Sequence, residues 1–256
     1  MNGTLAFLTL VTTAAWAQRS LAPPQVGFIQ DDHGQIHIVS GLAGNFLVGV
    51  AVSSGIISAA YSGSFGLLKS DSALIVVDRH GHGVASVVAP NGPALFGFAA
   101  DGSPALAYFE QSKTLLVWDG HTFRPAGPMV AEALLAIASV SATRAAMVVQ
   151  RDTGLWELGV ELANGAIMSQ KALPGITAPV LMLASGGVVY RGAKGVVVRS
   201  QDGSEKLIAA NLPETLAFGQ MGNGWIQVSD LATGRLSAVN FQNGHQAYYL
   251  LPEVRP

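Results

Sequence analysis

The sequence contains no cysteine, and only 12% of its 256 residues are charged, well below the roughly 25% of typical globular domains. A chain without cysteine forms no disulfide scaffold and no thiolate zinc site. Its 14 Lys and Arg residues are balanced by 16 Asp and Glu, which argues against a nucleic-acid binder that neutralises phosphates. Its hydrophobic content of 50% argues against intrinsic disorder.

The N-terminus has the pattern of a secretory signal peptide. Residues 5–15 are apolar and uncharged, and Ala15-Trp16-Ala17 places small residues at both positions that determine cleavage. The apolar stretch is shorter than the ~20 residues of a spanning helix. This length favours cleavage after residue 17 over two alternatives, an uncleaved anchor and a buried N-terminal segment. The sequence therefore predicts an exported protein, periplasmic or extracellular, with no membrane span after cleavage.

Missing cysteines in a secreted chain also favour a bacterial origin.

The most informative feature of the remaining chain is a repeat. Short runs of apolar and β-branched residues, each ending in a polar turn, recur at intervals of 38, 41, 40, 41 and 40 residues, anchored on Ile36, Leu74, Leu115, Leu155, Val196 and Leu236. A period of about 40 residues made of short strands is typical of a β-propeller. Asn-Gly and Asp-Gly pairs punctuate the repeat, as hairpin turns require.

The repeat predicts an all-β protein, a β-propeller with six blades of about four antiparallel strands each, five or seven being possible. The propeller is expected to be a single domain over residues 18–256, with units near 25–52, 53–93, 94–132, 133–177, 178–214 and 215–252. The first unit lacks a recognisable inner strand because Pro23-Pro24 precedes it. Either that blade has three strands, or the C-terminal segment completes it.

Local propensity and the repeat disagree over residues 131–145. The alanines and leucines of this segment favour a helix, but it occupies the position of an inner strand, so the repeat predicts a strand. Trp118, Trp156 and Trp225 fall inside predicted strands at repeat positions, and packing between blades is their expected role.

The order of an apolar strand, an Asp-Gly turn, a second strand, Leu115-Leu116-Val117-Trp118-Asp119 and an outer strand resembles the WD40/YVTN type of bacterial propeller repeat. The turn at residues 231–234 (Leu-Ala-Thr-Gly) resembles one that follows the third strand in such repeats. The resemblance covers most of the mature chain and implies the fold. It carries over no functional residue, because propellers host binding modules, scaffolds and unrelated enzymes.

No motif for nucleotide, phosphate, zinc-protease or EF-hand chemistry is present, and no cofactor is expected. His80 and His82 flank Gly81, and Asp78 lies two residues before His80. Asp31-Asp32-His33 with His37 forms a second cluster, so both groups offer metal-ligand chemistry. Such histidines commonly occupy turns beside glycine. The sequence therefore predicts no metal site, and His80 and His82 are the weak candidates for one.

A second pattern lies in the connections between second and third strands. These connections carry one charged position per unit: Asp31 or Asp32, Asp71, Glu110, Asp152, Lys194 and Asp230. In a propeller they share one face, so Asp32, Asp71, Glu110, Asp152, Lys194 and Asp230 form a predicted binding rim for a cationic or polyhydroxyl ligand or a basic protein. Carboxylates that merely begin turns are the competing interpretation.

The sequence favours a non-enzymatic, exported propeller, a monomer that binds an unidentified protein or glycan and no nucleic acid. The alternative is a secreted hydrolase or lyase that uses Asp71, Glu110 and Asp152 as general acid and base groups at the propeller mouth.

Overall fold

A computed structural model describes residues 23–128, 132–210, 212–241 and 248–253, and the predicted signal peptide at residues 1–17 lies outside the described residues. The described residues form 23 strands: β1 (Gln25–Gln30), β2 (Ile36–Leu42), β3 (Asn45–Ser53), β4 (Ser58–Tyr61), β5 (Phe65–Lys69), β6 (Ala73–Asp78), β7 (Gly83–Val88), β8 (Ala94–Phe98), β9 (Ala105–Phe109), β10 (Thr114–Trp118), β11 (Phe123–Pro125), β12 (Ala133–Ser141), β13 (Arg144–Arg151), β14 (Gly154–Glu161), β15 (Ile167–Ala172), β16 (Val180–Met182), β17 (Val188–Gly192), β18 (Gly195–Arg199), β19 (Glu205–Ala210), β20 (Leu216–Gly222), β21 (Trp225–Asp230), β22 (Leu236–Asn240) and β23 (Tyr248–Leu250). Within these ranges, no helix combines the length and apolar character that a membrane crossing requires.

The repeat read from the sequence corresponds to the strand pattern of the structure. All six repeat anchors are the first or second residue of a strand. Five of them, Ile36, Leu74, Leu115, Leu155 and Val196, are at most 3% exposed. The period therefore reflects a structural constraint: five of the six units bury an apolar residue at the start of the corresponding strand, and Leu236 of the sixth is half-buried.

The strands assemble into five hydrogen-bonded sheets. One has three strands in the order β1-β2-β3, three have four strands each (β8 to β11, β12 to β15 and β16 to β19), and one has eight strands in the order β23-β22-β21-β20-β4-β5-β6-β7. Pairing is antiparallel throughout except for a single parallel bridge between β20 and β4, at Met221 and Tyr61. Residues of β1, β4, β8, β12, β16 and β20 together line one axial cavity, which establishes an all-β propeller.

The prediction of six separate four-stranded blades is wrong in its number. The described strands form five sheets, of which three have the expected four strands. The count fails because the parallel bridge at Met221 and Tyr61 merges two sequence units into the eight-stranded sheet. A sequence period counts units along the chain and contains no information about hydrogen bonds between units.

The first sheet shows which of the two alternatives for the first unit is correct. It has three strands, whereas β23 pairs with β22 inside the eight-stranded sheet and does not extend the first sheet. β1 packs closely against β20, since a Cβ on Gly27 would lie 2.1 Å from the Met221 carbonyl oxygen. Glycine at this position is therefore required for β1 to approach the place where β20 and β4 meet.

Six apolar clusters lie between neighbouring groups of strands and close the ring. Each cluster combines residues from two groups of strands that are consecutive in the chain. The exception is the cluster around Val26, which combines residues from the first and last groups of strands. Trp118, Trp156 and Trp225 belong to three different clusters, which confirms their predicted packing role.

The structure also decides the disagreement over residues 131–145. Residues 133–141 form the inner strand β12, and a second strand begins at Arg144. Tertiary packing overrides the helical propensity here, because Ile137 and Ala138 are each 1% exposed between neighbouring sheets.

Candidate functional site

Two cavities lie along the axis of the ring. The first vestibule, of about 860 Å³, is lined by inner strands and by the connections at residues 31–34 and 231–234. The second vestibule, of about 490 Å³, is lined among others by residues 62–63, 183–185 and 222–224. The connections before and after β21 contribute to different vestibules, and consecutive connections of an antiparallel sheet lie at opposite ends of its strands. The vestibules therefore open at opposite ends of the ring, and Gln220 and Tyr61 line both.

The wall of the first vestibule combines apolar and polar surface in similar amounts, and its charged side chains are all acidic. Aliphatic residues such as Leu95, Ile137 and Leu181 form much of the wall. Asp31, Asp32 and Asp230 are the charged side chains among the residues that line it. A cavity whose charged lining residues are all carboxylates presents a negative potential to an approaching ligand.

Asp32 and Asp230 lie on neighbouring turns at this mouth. A Cβ placed on Gly234, which ends the turn after Asp230, would be 3.3 Å from Asp32 Oδ2. The side chain of Asp32 is 65% exposed, and its Oδ1 lies 2.6 Å from His33 Nδ1. The turns are thus in contact, and together they carry two of the six predicted rim residues.

The carboxylate of Asp230 is held by its own turn. Oδ2 accepts a hydrogen bond of 2.6 Å from the Thr233 hydroxyl, and Oδ1 accepts one of 2.9 Å from the Ala232 N–H. These hydrogen bonds, that of Thr233 first, hold the pKa of Asp230 below its ordinary value. The group therefore remains an anion at neutral pH.

Asp31 lies behind the mouth and fixes the first turn. Its Oδ1 accepts hydrogen bonds from the N–H groups of His33 at 3.0 Å and Gln35 at 2.7 Å. Its Oδ2 is 3.2 Å from Nε2 of His37, a side chain only 2% exposed, while His37 Nδ1 donates to the Gly49 carbonyl at 3.0 Å. Since both oxygens of Asp31 already have partners, this residue supports the turn that presents Asp32.

Asp31, Asp32 and His33 place one possible ligand atom each within 4.8 Å of one another. The hydrogen bonds of Asp31 and the contact between His33 and Asp32 account for this proximity without a metal ion.

The other predicted rim residues lie away from the vestibule. Asp71, Glu110, Asp152 and Lys194 are exposed on their connections and do not line the first vestibule. The structure thus brings Asp32 and Asp230 together at the mouth and leaves the remaining four on the outer part of the face. The predicted role of the rim in binding stays a prediction.

His80 and His82 occupy a tight turn built on Asp78. Asp78 Oδ1 accepts hydrogen bonds from the N–H groups of His80 at 2.8 Å and His82 at 2.9 Å. His80 Nε2 accepts a hydrogen bond from Arg79 at 3.1 Å, and the two imidazole rings are 6.1 Å apart. This geometry supports the interpretation of the histidines as turn residues.

Three glutamines near the axis were not singled out by the sequence analysis. Gln227 exchanges two hydrogen bonds with the backbone of Gln30, and Gln30 Nε2 donates to the Ile56 carbonyl at 2.7 Å. Gln220 Nε2 donates to the Met182 carbonyl at 2.9 Å. Each bond joins two different groups of strands. A glutamine within an apolar inner strand, as in Leu-Ala-Phe-Gly-Gln, is the signal that could have found Gln220.

Lys69 is a second feature that sequence reasoning missed. It is fully buried at the end of β5, and its ammonium donates to the carbonyls of Ser70 and, at 2.8 Å, Asp71. Burial lowers its pKa, and the nearby Asp71 carboxylate partly opposes this effect. Lys69 therefore holds the connection that carries Asp71 and does not reach the vestibule.

Comparison with known proteins shows a resemblance in fold. No protein-family model and no curated protein sequence matches it. The structure is similar to the WD40 β-propeller domain of Doa1, with a TM-score of 0.52 and 13% identity over 85% of this chain and 89% of that one. It is also similar to a chain in a nidogen/laminin complex, with a TM-score of 0.57 and 13% identity over 88% of this chain and 96% of that one. These similarities confirm the fold-level resemblance to WD40/YVTN-type propellers.

Proposed function

We propose that the protein is an interaction module without catalytic activity, and that it binds a basic segment of a partner protein at the mouth of the first vestibule. The observation that carries this proposal is the pair of touching turns with Asp32 and Asp230, above a cavity whose charged lining residues are all acidic. Acidic groups around a recess whose wall is partly aliphatic favour a partner that offers lysine or arginine beside apolar side chains.

The dimensions of this site suit a short segment of a partner protein. A cavity of about 860 Å³ is within the range of small-ligand pockets, so it accommodates a few side chains of a partner. Leu231, on the turn beside Asp230, is 65% exposed and adds apolar surface at the mouth. Apolar anchors surrounded by charges are the usual composition of a recognition site.

The alternative, a hydrolase or lyase, has no observation in its favour. Asp71, Glu110 and Asp152, the proposed acid and base groups, do not line the first vestibule. At the mouth itself Asp31 and Asp230 are engaged in hydrogen bonds that stabilise turns. Catalysis by two carboxylates needs both groups to face one substrate.

A peptide titration tests the proposal. A synthetic lysine-rich peptide with interspersed leucines is titrated into the protein by calorimetry at low and at physiological salt. Asp32→Asn/Asp230→Asn should weaken binding by about three- to tenfold, because exposed ion pairs contribute about 0.2–1 kcal/mol each. Asparagine keeps the turn geometry.

The matched control is Asp71→Asn/Asp152→Asn, which removes the same charge from the same face outside the vestibule. It should change the affinity much less than the mouth variant does. Equal weakening by both variants would show a diffuse electrostatic attraction and contradict a site at the mouth.

We also propose that the protein acts outside the cytoplasm, since residues 1–17 have the pattern of a cleaved signal peptide. Mass spectrometry of the protein purified from its native cell should find a mature chain that begins at Gln18. An intact N-terminus on a cytoplasmic pool would contradict this part of the proposal.

A further inference from the structure

The second vestibule differs from the first in having no charged side chain among its lining residues. Its rim consists of small residues on four connections near the axis, and Phe98, Trp225 and Phe241 contribute aromatic surface. Tyr61 is its one titratable lining residue, and burial raises the pKa of that phenol, so it remains neutral. A charged ligand would lose its hydration here without gaining an opposite charge.

The second vestibule also contains polar groups that lack partners within the described chain. The orientation of the Gln220 amide is fixed, because its Nε2 donates to the Met182 carbonyl, which can only accept. Its Oε1 therefore remains free to accept. Asn223 Nδ2 donates to the Val26 carbonyl at 3.4 Å, which leaves Asn223 Oδ1 free in the same way.

Two further groups complete the hydrogen-bonding set. Ser185 is exposed at the rim, and its hydroxyl has no partner among the described residues. The indole N–H of Trp225 is likewise a donor without a partner in the described part of the chain, although its ring packs against Phe46 at a centroid distance of 5.4 Å. With the buried Tyr61 hydroxyl, which also has no partner among the described residues, the set offers two amide acceptors, two hydroxyls and one indole donor.

The groups at this rim are held in place by the fold. Asn223 and Gly224, at φ of 51° and 78°, form a two-residue turn between the paired residues Gly222 and Trp225. Such a turn is the preferred Asn-Gly connection of a hairpin. Trp225 also contacts Tyr249, with its ring at 6.0 Å. A preorganised site loses little conformational freedom when a ligand binds.

We propose that the second vestibule binds a small neutral ligand rich in hydroxyl groups, a sugar or a polyol. Hydroxyls both donate and accept, so they match the free amide oxygens, the serine and the indole N–H. A purely apolar ligand would bury these groups unpaired, which is unfavourable. A volume of about 490 Å³ is within the range of small-ligand sites. This site shares Gln220 and Tyr61 with the first vestibule but opens at the opposite end of the ring and does not include Asp32 or Asp230.

The test uses the mature protein and a panel of glucose, galactose, maltose and N-acetylglucosamine, with glucuronate and glucosamine as charged counterparts. Binding is followed through the indole N–H resonance of Trp225 in ¹H–¹⁵N spectra, with Trp118 and Trp156 as internal references. At least one neutral sugar should shift the Trp225 resonance in a saturable manner at millimolar concentration, whereas the charged counterparts should not.

Ser185→Asp should weaken that binding by about tenfold, because it replaces a hydroxyl with a carboxylate in an uncharged site. Ser112→Asp, on the exposed connection between β9 and β10, is the matched control and should leave binding unchanged. Asp32→Asn/Asp230→Asn should also leave it unchanged, so failure here is distinct from failure at the first vestibule. The proposal is overturned if no neutral sugar shifts Trp225, if charged sugars bind equally well, or if Ser185→Asp has no effect.

Discussion

Gln227 on β21 and Gln30 on β1 are joined by two reciprocal hydrogen bonds. The Gln30 N–H donates to Gln227 Oε1 at 3.0 Å, and Gln227 Nε2 donates to the Gln30 carbonyl at 2.8 Å. The two residues are 197 positions apart, so this pair joins the first sheet to the last strands of the chain. A side chain thereby supplies the hydrogen bonds that a neighbouring strand would otherwise make.

Replacing Gln227 with leucine should therefore destabilise the ring. Gln227→Leu leaves the N–H and carbonyl of Gln30 without their partners, which costs about 2–4 kcal/mol of unfolding free energy. Urea unfolding measures the change. Gln150→Leu, which alters an exposed glutamine on β13, should change the unfolding free energy by less than about 0.5 kcal/mol. Equal effects of the two variants would contradict the closing role of Gln227.

Asp31 and Asp32, which are neighbours at the mouth of the first vestibule, should differ sharply in their contribution to stability. Asp31→Ala removes two turn hydrogen bonds and the partner of the buried His37, and it should cost about 2–4 kcal/mol. Asp32→Ala removes an exposed carboxylate and should cost less than about 0.5 kcal/mol. Thermal unfolding of both variants at neutral pH checks this order, and a larger loss for Asp32→Ala would refute it.

Stability should fall in acid because four turn carboxylates are hydrogen-bonded in the folded state. Hydrogen bonds from the following residues lower the pKa of Asp78, Asp119, Asp202 and Asp230. A lowered folded-state pKa stabilises the protein above the ordinary aspartate pKa, and this stabilisation is lost as the pH falls below about 4.

Urea unfolding between about pH 3 and pH 7 tests that dependence. Asp78→Asn/Asp119→Asn should flatten the acid limb of the curve, because asparagine accepts the same hydrogen bonds without titrating. An unchanged acid limb in this variant would show that other groups determine the loss.

The outer strand β3 should be the part of the surface most prone to self-association. It has nine residues with neither charge nor proline, and Val50 on it is 87% exposed. A charge on an edge strand opposes pairing with another chain. Val50→Lys should therefore reduce aggregation on heating, measured by light scattering, without lowering the unfolding free energy. Met168→Lys on β15, a strand that already has Lys171, should change aggregation much less.

Much of the architecture could be predicted because the repeat is a local property of the sequence. Each unit must place an apolar residue at the start of the same strand, and Leu74 and Val196, both fully buried, illustrate this rule. The number of sheets could not be predicted, because the bridge between Met221 and Tyr61 joins strands from opposite ends of the chain. Such a bridge depends on packing around the ring, to which residues far apart in the chain contribute.

Two of the six predicted rim residues, Asp32 and Asp230, line the first vestibule, and connection length explains why the other four do not. Asp32 lies within, and Asp230 immediately before, connections of five residues, the longest of the six that carry the rim. Asp152 and Lys194 lie on connections of two residues, which are too short to extend over the cavity. The sequence showed the charges and their common face, but their distance from the axis depends on turn length. Gln220 is uncharged, so a pattern of charged positions along the repeat does not identify it.

The most direct test of the interaction module is site-specific photo-crosslinking in the native cell. A photoreactive amino acid replaces Leu231, which is 65% exposed at the mouth of the first vestibule, or Met168, which is 65% exposed on the outer strand β15. We expect one discrete crosslinked protein from position 231, reduced in yield in the Asp32→Asn/Asp230→Asn background, and none from position 168. Equal crosslinking from both positions, or none from position 231, would contradict a partner site at the first vestibule.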